Sequence, residues 1–299
     1  MDSKSGRSAI SIQRVLMATD LSEGSSRALQ HALAVARHYG ASFDLLHVIQ
    51  LNAYTLSGPG AMVQAHALAE REIEALTASL QRTGALDGVN THSWVLDGEV
   101  AEVVCRLVGC HKTDLVAVGT HGRSGIRKLV LGSVAEEVFR HAPCPVLTVG
   151  PYSPGMQQEP SLTHALVATD LSPASTEALP WAVAAAQEFG ARLTMLHVCP
   201  DLKAKGEAVH DWERRTEGLQ SRLRDLVRDS AFPVPDLHFA VAAGTAADEI
   251  VKFASAQKVD LIILGLKPAR AFSDRVPWLH AYRIVCEAAC PVLTVRGKE

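Results

Sequence analysis

The stretch Gly119-Thr120-His121-Gly122-Arg123-Ser124-Gly125-Ile126-Arg127-Lys128-Leu129-Val130-Leu131-Gly132-Ser133 combines spaced glycines, basic side chains and a hydroxyl. Those residue types suit one chemistry, the holding of a phosphate. Glycines let backbone approach an anion closely. A helix opening at Ser133 offers free N–H groups and a partial positive charge. Ser133 can donate its hydroxyl as well as cap that helix, and Arg123, Arg127 and Lys128 add charge. The bland alternative is a strand-to-helix connection whose glycines only make the turn. The loop is not a Walker A motif, because the G-x-x-x-x-G-K-[ST] spacing is absent.

Other reactive residues sit at strand ends. Asp20 and Asp170 each follow a short apolar run. An acid there can accept hydrogen bonds from a ribose or hold Mg²⁺ near phosphates; it can equally cap the following turn. His47 and His197 end a second apolar run and read as satisfied structural histidines rather than metal ligands. Val48, beside His47, offers backbone to a base. His121 lies in the loop without a nucleophile partner. No Ser-His-Asp order and no H-E-x-x-H motif points to catalysis.

The elements that must position these residues occur twice. Val15-Leu16-Met17-Ala18-Thr19-Asp20-Leu21-Ser22 returns as Ala165-Leu166-Val167-Ala168-Thr169-Asp170-Leu171-Ser172, and Leu46-His47-Val48 as Leu196-His197-Val198, both at an offset of 150. Cys144-Pro145-Val146-Leu147-Thr148-Val149 returns from Cys290 to Val295 at an offset of 146. So long a period means two whole domains, expected at 10–150 and 160–299. Between them, Gly150 to Ser161 holds Pro151, Pro154 and Pro160 and continues neither helix nor strand. In the first copy, strands are expected at Arg14–Thr19, Phe43–Ile49, His92–Leu96, Leu115–Val118 and Val146–Val149. Helices are expected at Ser25–Tyr39, Ala61–Arg82, Val100–Val108 and Ser133–Arg140, with Gly40 as a left-handed cap. This alternation predicts α/β architecture, two tandem doubly wound domains with parallel sheets that bind ligands at the carboxyl ends of the strands.

The second copy is an internal control on the loop. The 146 offset sets Pro268 on Gly122, Trp278 on Gly132 and Leu279 on Ser133. Proline removes a donor and tryptophan fills the space where backbone would meet a ligand. The second copy keeps the strand motifs without the cradle, which favours a ligand-binding role for the first loop. Lys267, Arg270 and Arg275 leave open a different anion in the second copy, or plain solvated charge.

Composition sets the frame. The 299 residues carry a net charge of −3, so no basic excess advertises nucleic acid or an anionic membrane. Aromatics are 5% of the chain, so Ala, Val, Leu and Ile must build the cores. A polar start without an apolar run, and no long apolar segment, predict no secretory signal and no membrane span. The six cysteines form no C-x-x-C pair and read as buried, reduced thiols of a cytoplasmic protein.

The loop Gly119-x-x-Gly122-x9-Gly132-Ser133, the Asp20 strand end, Leu46-His47-Val48 and the terminal Cys-Pro-Val-Leu-Thr-Val together resemble the universal stress protein family, and the chain resembles a tandem member over nearly its whole length. The resemblance implies, in each copy, a five-stranded parallel sheet between helices, as in adenine nucleotide alpha hydrolase-like folds. It implies ATP, with Mg²⁺ as a companion, in the first copy. Ala18, Thr19 and Asp20 would flank ribose and adenine, and Val48 would meet adenine through its backbone. Val118, Gly119, Gly122, Arg123, Gly132, Ser133 and Val134 would wrap ribose and phosphates. Pro268, Trp278 and Leu279 depart from the pattern in the second copy. The resemblance further implies pairing of the two domains through their last strands, Val146–Val149 beside Val292–Val295, with a homodimer of whole chains as a further assembly. The expected function is nucleotide-dependent stress regulation without efficient catalysis, at most slow ATP hydrolysis. A nucleotide-independent scaffold or small-ligand carrier, and a nucleotide-hydrolysing or nucleotidyl-transferring enzyme, are the rivals.

Overall fold

The computed structural model describes residues 10–50, 59–120, 133–156, 160–199, 209–228, 234, 236–266 and 275–296. They divide into two compact units. One holds Ile12–Pro160 and Val285–Pro291, the other Ser161–Ile284 and the final strand.

In the first copy, β1 (Arg14–Ala18), β2 (Ser42–Ile49), β3 (Thr91–Asp97), β4 (Leu115–Gly119) and β5 (Val146–Val149) alternate with α1 (Glu23–Tyr39), α2 (Pro59–Arg82), α3 (Val100–His111) and α4 (Ser133–His141). The strands lie in the order β3-β2-β1-β4-β5 and every adjacent pair is parallel. Ala18 is flanked by Leu46 on β2 and Val118 on β4. The chain leaves β1 toward one neighbour while the other arrives later, so the switch in strand order falls between β1 and β4, where such sheets open a crevice.

The core is aliphatic, as the aromatic-poor composition requires. Val15, Leu16, Met17, Leu45, Leu46 and Val116 are almost wholly buried, and Phe43 is the largest side chain fully enclosed. Burying a Leu or Ile side chain contributes about 1.5–3 kcal/mol, which makes these strands the stable part of the unit. On α1, Leu29, Ala32, Leu33 and Ala36 form the buried stripe. Gly40 closes the helix at φ 62°, in the left-handed region that glycine enters without a Cβ penalty.

The second copy repeats the plan with β6 (His164–Ala168), α5 (Pro173–Thr176), α6 (Leu179–Phe189), β7 (Arg192–Cys199), α7 (Val209–Arg228), β8 (Leu237–Ala243), α8 (Ala246–Ala256), β9 (Leu261–Leu266), α9 (Arg275–Glu287) and β10 (Val292–Arg296). Its strands run β10-β9-β6-β7-β8, again parallel. The helix that is single in the first copy is split here into α5 and α6. Pro180 has no N–H to give the carbonyl four residues back and its ring crowds that carbonyl, so the helix must restart.

The linker is neither helix nor strand where described, yet it is not loose. Arg27 Nη1 donates to the Pro151 carbonyl at 2.5 Å, His31 Nε2 to the Pro154 carbonyl at 3.0 Å, and Gln30 Oε1 accepts from the Met156 N–H at 3.2 Å. Positions 27, 30 and 31 share one face of α1, so a single helical stripe grips the strap. In the second copy the same positions are Glu177, Pro180 and Trp181, which cannot reproduce it.

Candidate functional site at the carboxyl edge of the first copy

The turn after β1 is built by its own side chains. Ser25 Oγ gives its proton to the Ser22 carbonyl at 2.8 Å, so the Thr19 hydroxyl donates to Ser25 Oγ at 2.8 Å. Thr19 Oγ1 then accepts from the Leu21 N–H at 3.0 Å. Asp20 Oδ1 accepts from the Ser22 N–H at 3.1 Å and the Ser22 hydroxyl at 2.6 Å, while Ser22 caps α1. These bonds hold Leu21 at φ 63°, a left-handed conformation that costs a residue with a Cβ roughly 1–2 kcal/mol.

The second copy builds the same turn. Thr169, Leu171, Ser172 and Ser175 repeat the bonds, and Leu171 also sits at φ 63°. Burial alone would raise the Asp170 carboxyl, but hydrogen bonds from Ser172 and Ser175 outweigh it and hold it below the ordinary carboxylate range. The turn is therefore scaffold common to both copies. Thr19, expected beside a ribose, has its hydroxyl engaged by Ser25 and Leu21 and its carbonyl by His47.

The histidines complete that scaffold. His47 Nδ1 donates to the Thr19 carbonyl at 2.9 Å, and His197 Nδ1 to the Thr169 carbonyl at 2.8 Å. Both are satisfied structural side chains, and no group of three His, Cys, Asp or Glu among the described residues is arranged to hold a metal ion. Val48 follows at the half-buried end of β2.

Gly119 ends β4 beneath the start of α1. A Cβ there would stand 2.9 Å from the Gly24 carbonyl oxygen and 3.1 Å from Ser25 Cα. At Gly265, its counterpart on β9, a Cβ would come within 2.6 Å of Ser175 Cα and closer still to the Ala174 carbonyl oxygen. Both copies thus need this glycine to let the helix approach the sheet. Packing alone accounts for its presence in both copies.

Gly122, Arg123, Gly132 and Pro268 lie outside the described residues, and only the backbone is described at Ser133, Val134 and Trp278. Ser133 is the first residue of α4, so its N–H is one of those a helix leaves unbonded at its start. Leu279, on the same position of the second copy, lies in the second turn of α9, where the N–H is taken by the helix, and the residue is 64% exposed. A helix start stands at that position in the first copy and not in the second.

Two polar clusters were not legible as sites. Near the carboxyl edge, His66 on α2 pairs with Asp97 at the end of β3, Nε2 to Oδ1 at 2.5 Å. The signal was Asp97 ending a strand where the second copy has Ala243. Away from that edge, Asp44 is wholly buried on β2. Its Oδ2 accepts from Arg14 Nη1 at 3.1 Å and lies 3.3 Å from His111 Nδ1; its Oδ1 accepts from Trp94 Nε1 at 3.2 Å and lies 3.8 Å from His92 Nδ1. The second copy replaces this with neutral chemistry, His164 between Thr194 Oγ1 and the Gln257 carbonyl.

The cysteines form no disulfide. Three of the six depart from the expectation of burial: Cys110 is exposed on the outer face of α3, and Cys105 and Cys144 are half-buried. Burial pushes the Cys144 thiol up to about 12, so it is inert as a nucleophile at neutral pH. No helix among the described residues is long and apolar enough to cross a membrane.

Comparison with known proteins agrees with this architecture. The family model of the universal stress protein family matches residues 11–150 and again 162–296. A universal stress protein of Mycolicibacterium smegmatis is 25% identical over 289 residues, covering 95% of this chain and 97% of its own. The universal stress protein A homolog 1 of Coxiella burnetii is 32% identical over 140 residues, 46% of this chain and 95% of its own. The crystal structure of a universal stress protein from Archaeoglobus fulgidus superposes with a TM-score of 0.69 at 21% identity, covering 96% of this chain and 97% of that one, a likeness of fold. Two family matches on one chain, each carrying the Thr-Asp-Leu-Ser turn and the Leu-His-Val strand end, make this protein a tandem member of the universal stress protein family.

Proposed function

We propose that the first copy binds an adenine nucleotide, ATP with Mg²⁺, and that the bound nucleotide sets the conformation or assembly of a cytoplasmic stress regulator. One observation carries this reading: a complete spaced-glycine loop ends at the open start of α4, whereas the equivalent position of the second copy lies inside α9. Ser133, Gly132 and Gly122 would meet phosphates, Asp20 the ribose or the Mg²⁺, and Val48 the base. ATP itself would supply the negative charge that completes the cradle and, when cleaved, a change of state. On this reading the protein acts as a regulator, with at most slow ATP hydrolysis.

A nucleotide-independent scaffold is favoured by a different observation. The bonds that build the Thr19-to-Ser25 turn and the His47 bond are reproduced in the copy that lacks the loop, so they serve the fold with or without a ligand. Thermal unfolding separates the two. ATP at about 100 times its Kd stabilises the folded state by about 2.7 kcal/mol and must raise Tm. An unchanged Tm at millimolar ATP would leave the scaffold reading.

A further inference from the structure

The carboxyl edge of the first copy carries a polar pair that its repeat lacks. His66 Nε2 and Asp97 Oδ1 are 2.5 Å apart, with side chains 32% and 39% exposed. A carboxylate only accepts, so Nε2 bears a proton, and in the neutral tautomer with that proton Nδ1 is an acceptor. Nδ1 has no protein partner among the described residues. Ile49 aligns with Asp97 as Cys199 aligns with Ala243, so the pair is confined to the copy with the complete loop.

The strand order says what lies beside it. Neighbouring strands stand about 4.8 Å apart, so the edge from β4 to β3 spans roughly 14 Å. A nucleotide with phosphates at the start of α4 and ribose at Asp20, after β1, runs its base over β2 and toward β3. Val48 aligns with Leu96, the residue before Asp97. We propose, on the nucleotide reading above, that His66, oriented by Asp97, determines which base is accepted. Nδ1 takes a hydrogen bond from the exocyclic amine of a 6-aminopurine. A 6-oxopurine sets a carbonyl oxygen against the Nδ1 lone pair, two acceptors face to face, and is refused.

ATP and inosine triphosphate differ at that edge and serve as the probes. Titration of the full chain is expected to show ATP bound about tenfold more tightly, the difference one hydrogen bond makes. In His66→Ala the ATP affinity falls while that for inosine triphosphate, relieved of the facing lone pair, rises, and the tenfold preference vanishes. In Asp97→Asn the ring is free to present either nitrogen, and the preference shrinks to about threefold or less. This variant also covers the case in which His66→Ala fails to fold. Equal binding of the two nucleotides by the unaltered chain, or a proportional loss of both in the variants, overturns the assignment. Binding of neither by the unaltered chain overturns the nucleotide reading beneath it, a distinct result.

Discussion

Replacing Asp44 by Asn tests whether a buried charge is structurally required in the first copy. The Asp44 side chain is 0% exposed and its two oxygens receive Arg14, Trp94 and His111. An Asn keeps one acceptor and turns the other oxygen into an N–H₂ donor. Whichever way the amide faces, a buried donor then meets another donor. An unsatisfied buried group costs about 1–3 kcal/mol, and a lost hydrogen bond to a charge about 1.5–3. Arg14 is 29% exposed and recovers part of its hydration, so the lower half of those ranges applies. The sum is about 3 kcal/mol, at the lower end of what breaking a buried ion pair costs. Native-state hydrogen exchange of the β1, β2 and β3 amides isolates this unit. The slowest amides should exchange about a hundredfold faster. The double variant Arg14→His, Asp44→Thr installs the pair found at His164 and Thr194 and should recover at least half of the loss. A change under about 0.5 kcal/mol in Asp44→Asn would refute the reasoning, since surface substitutions do as much.

Gly265→Ala should destabilise the second unit by about 3 kcal/mol and Gly119→Ala the first by about 1 kcal/mol, because the added methyl overlaps backbone more deeply at Gly265; equal effects in urea unfolding would contradict the packing account. Burial holds the His31 imidazole below its ordinary value of 6.5, against the raising effect of its bond to the Pro154 carbonyl. The unfolded chain therefore takes up the proton first, so the His31 contribution is complete above about pH 6.5 and declines as pH falls below it. His31→Gln should flatten that part of the stability–pH curve; an unaltered slope would show that His31 is not its source. Alkylation followed by mass spectrometry should modify exposed Cys110 well before Cys144, whose thiol is pushed up to about 12; the reverse order would contradict both placements.

Elements governed by local pattern were legible in the sequence. The apolar stripe of α1, its Gly40 cap and the short β-branched strands fall within two or three residues of expectation, because periodicity and capping are local properties. The repeat made the fold class legible too, since one βα order had to serve twice. What escaped depends on pairing at a distance. Asp44 reads as an odd acid in Phe43-Asp44-Leu45-Leu46 until the fold brings Arg14 and His111 to it. Arg27, Gln30 and His31 stand off the apolar stripe of α1, and no local pattern shows that the linker lies across them. Leu21 and Leu171 give no sign of positive φ, which a leucine rarely adopts; only the side-chain bonds of the turn enforce it. In the site, the spaced glycines were legible, while the packing role of Gly119 and the engagement of Thr19 required coordinates.

The central claim is an unequal pair, one copy equipped for a nucleotide and one not. Calorimetric titration of the full chain with ATP and Mg²⁺ tests it most directly. The account predicts one site per chain, abolished by Gly132→Trp or Gly122→Pro, which reproduce the second copy's residues, and unaffected by Leu279→Ser. Two sites, or one site that survives both loop variants, would contradict it.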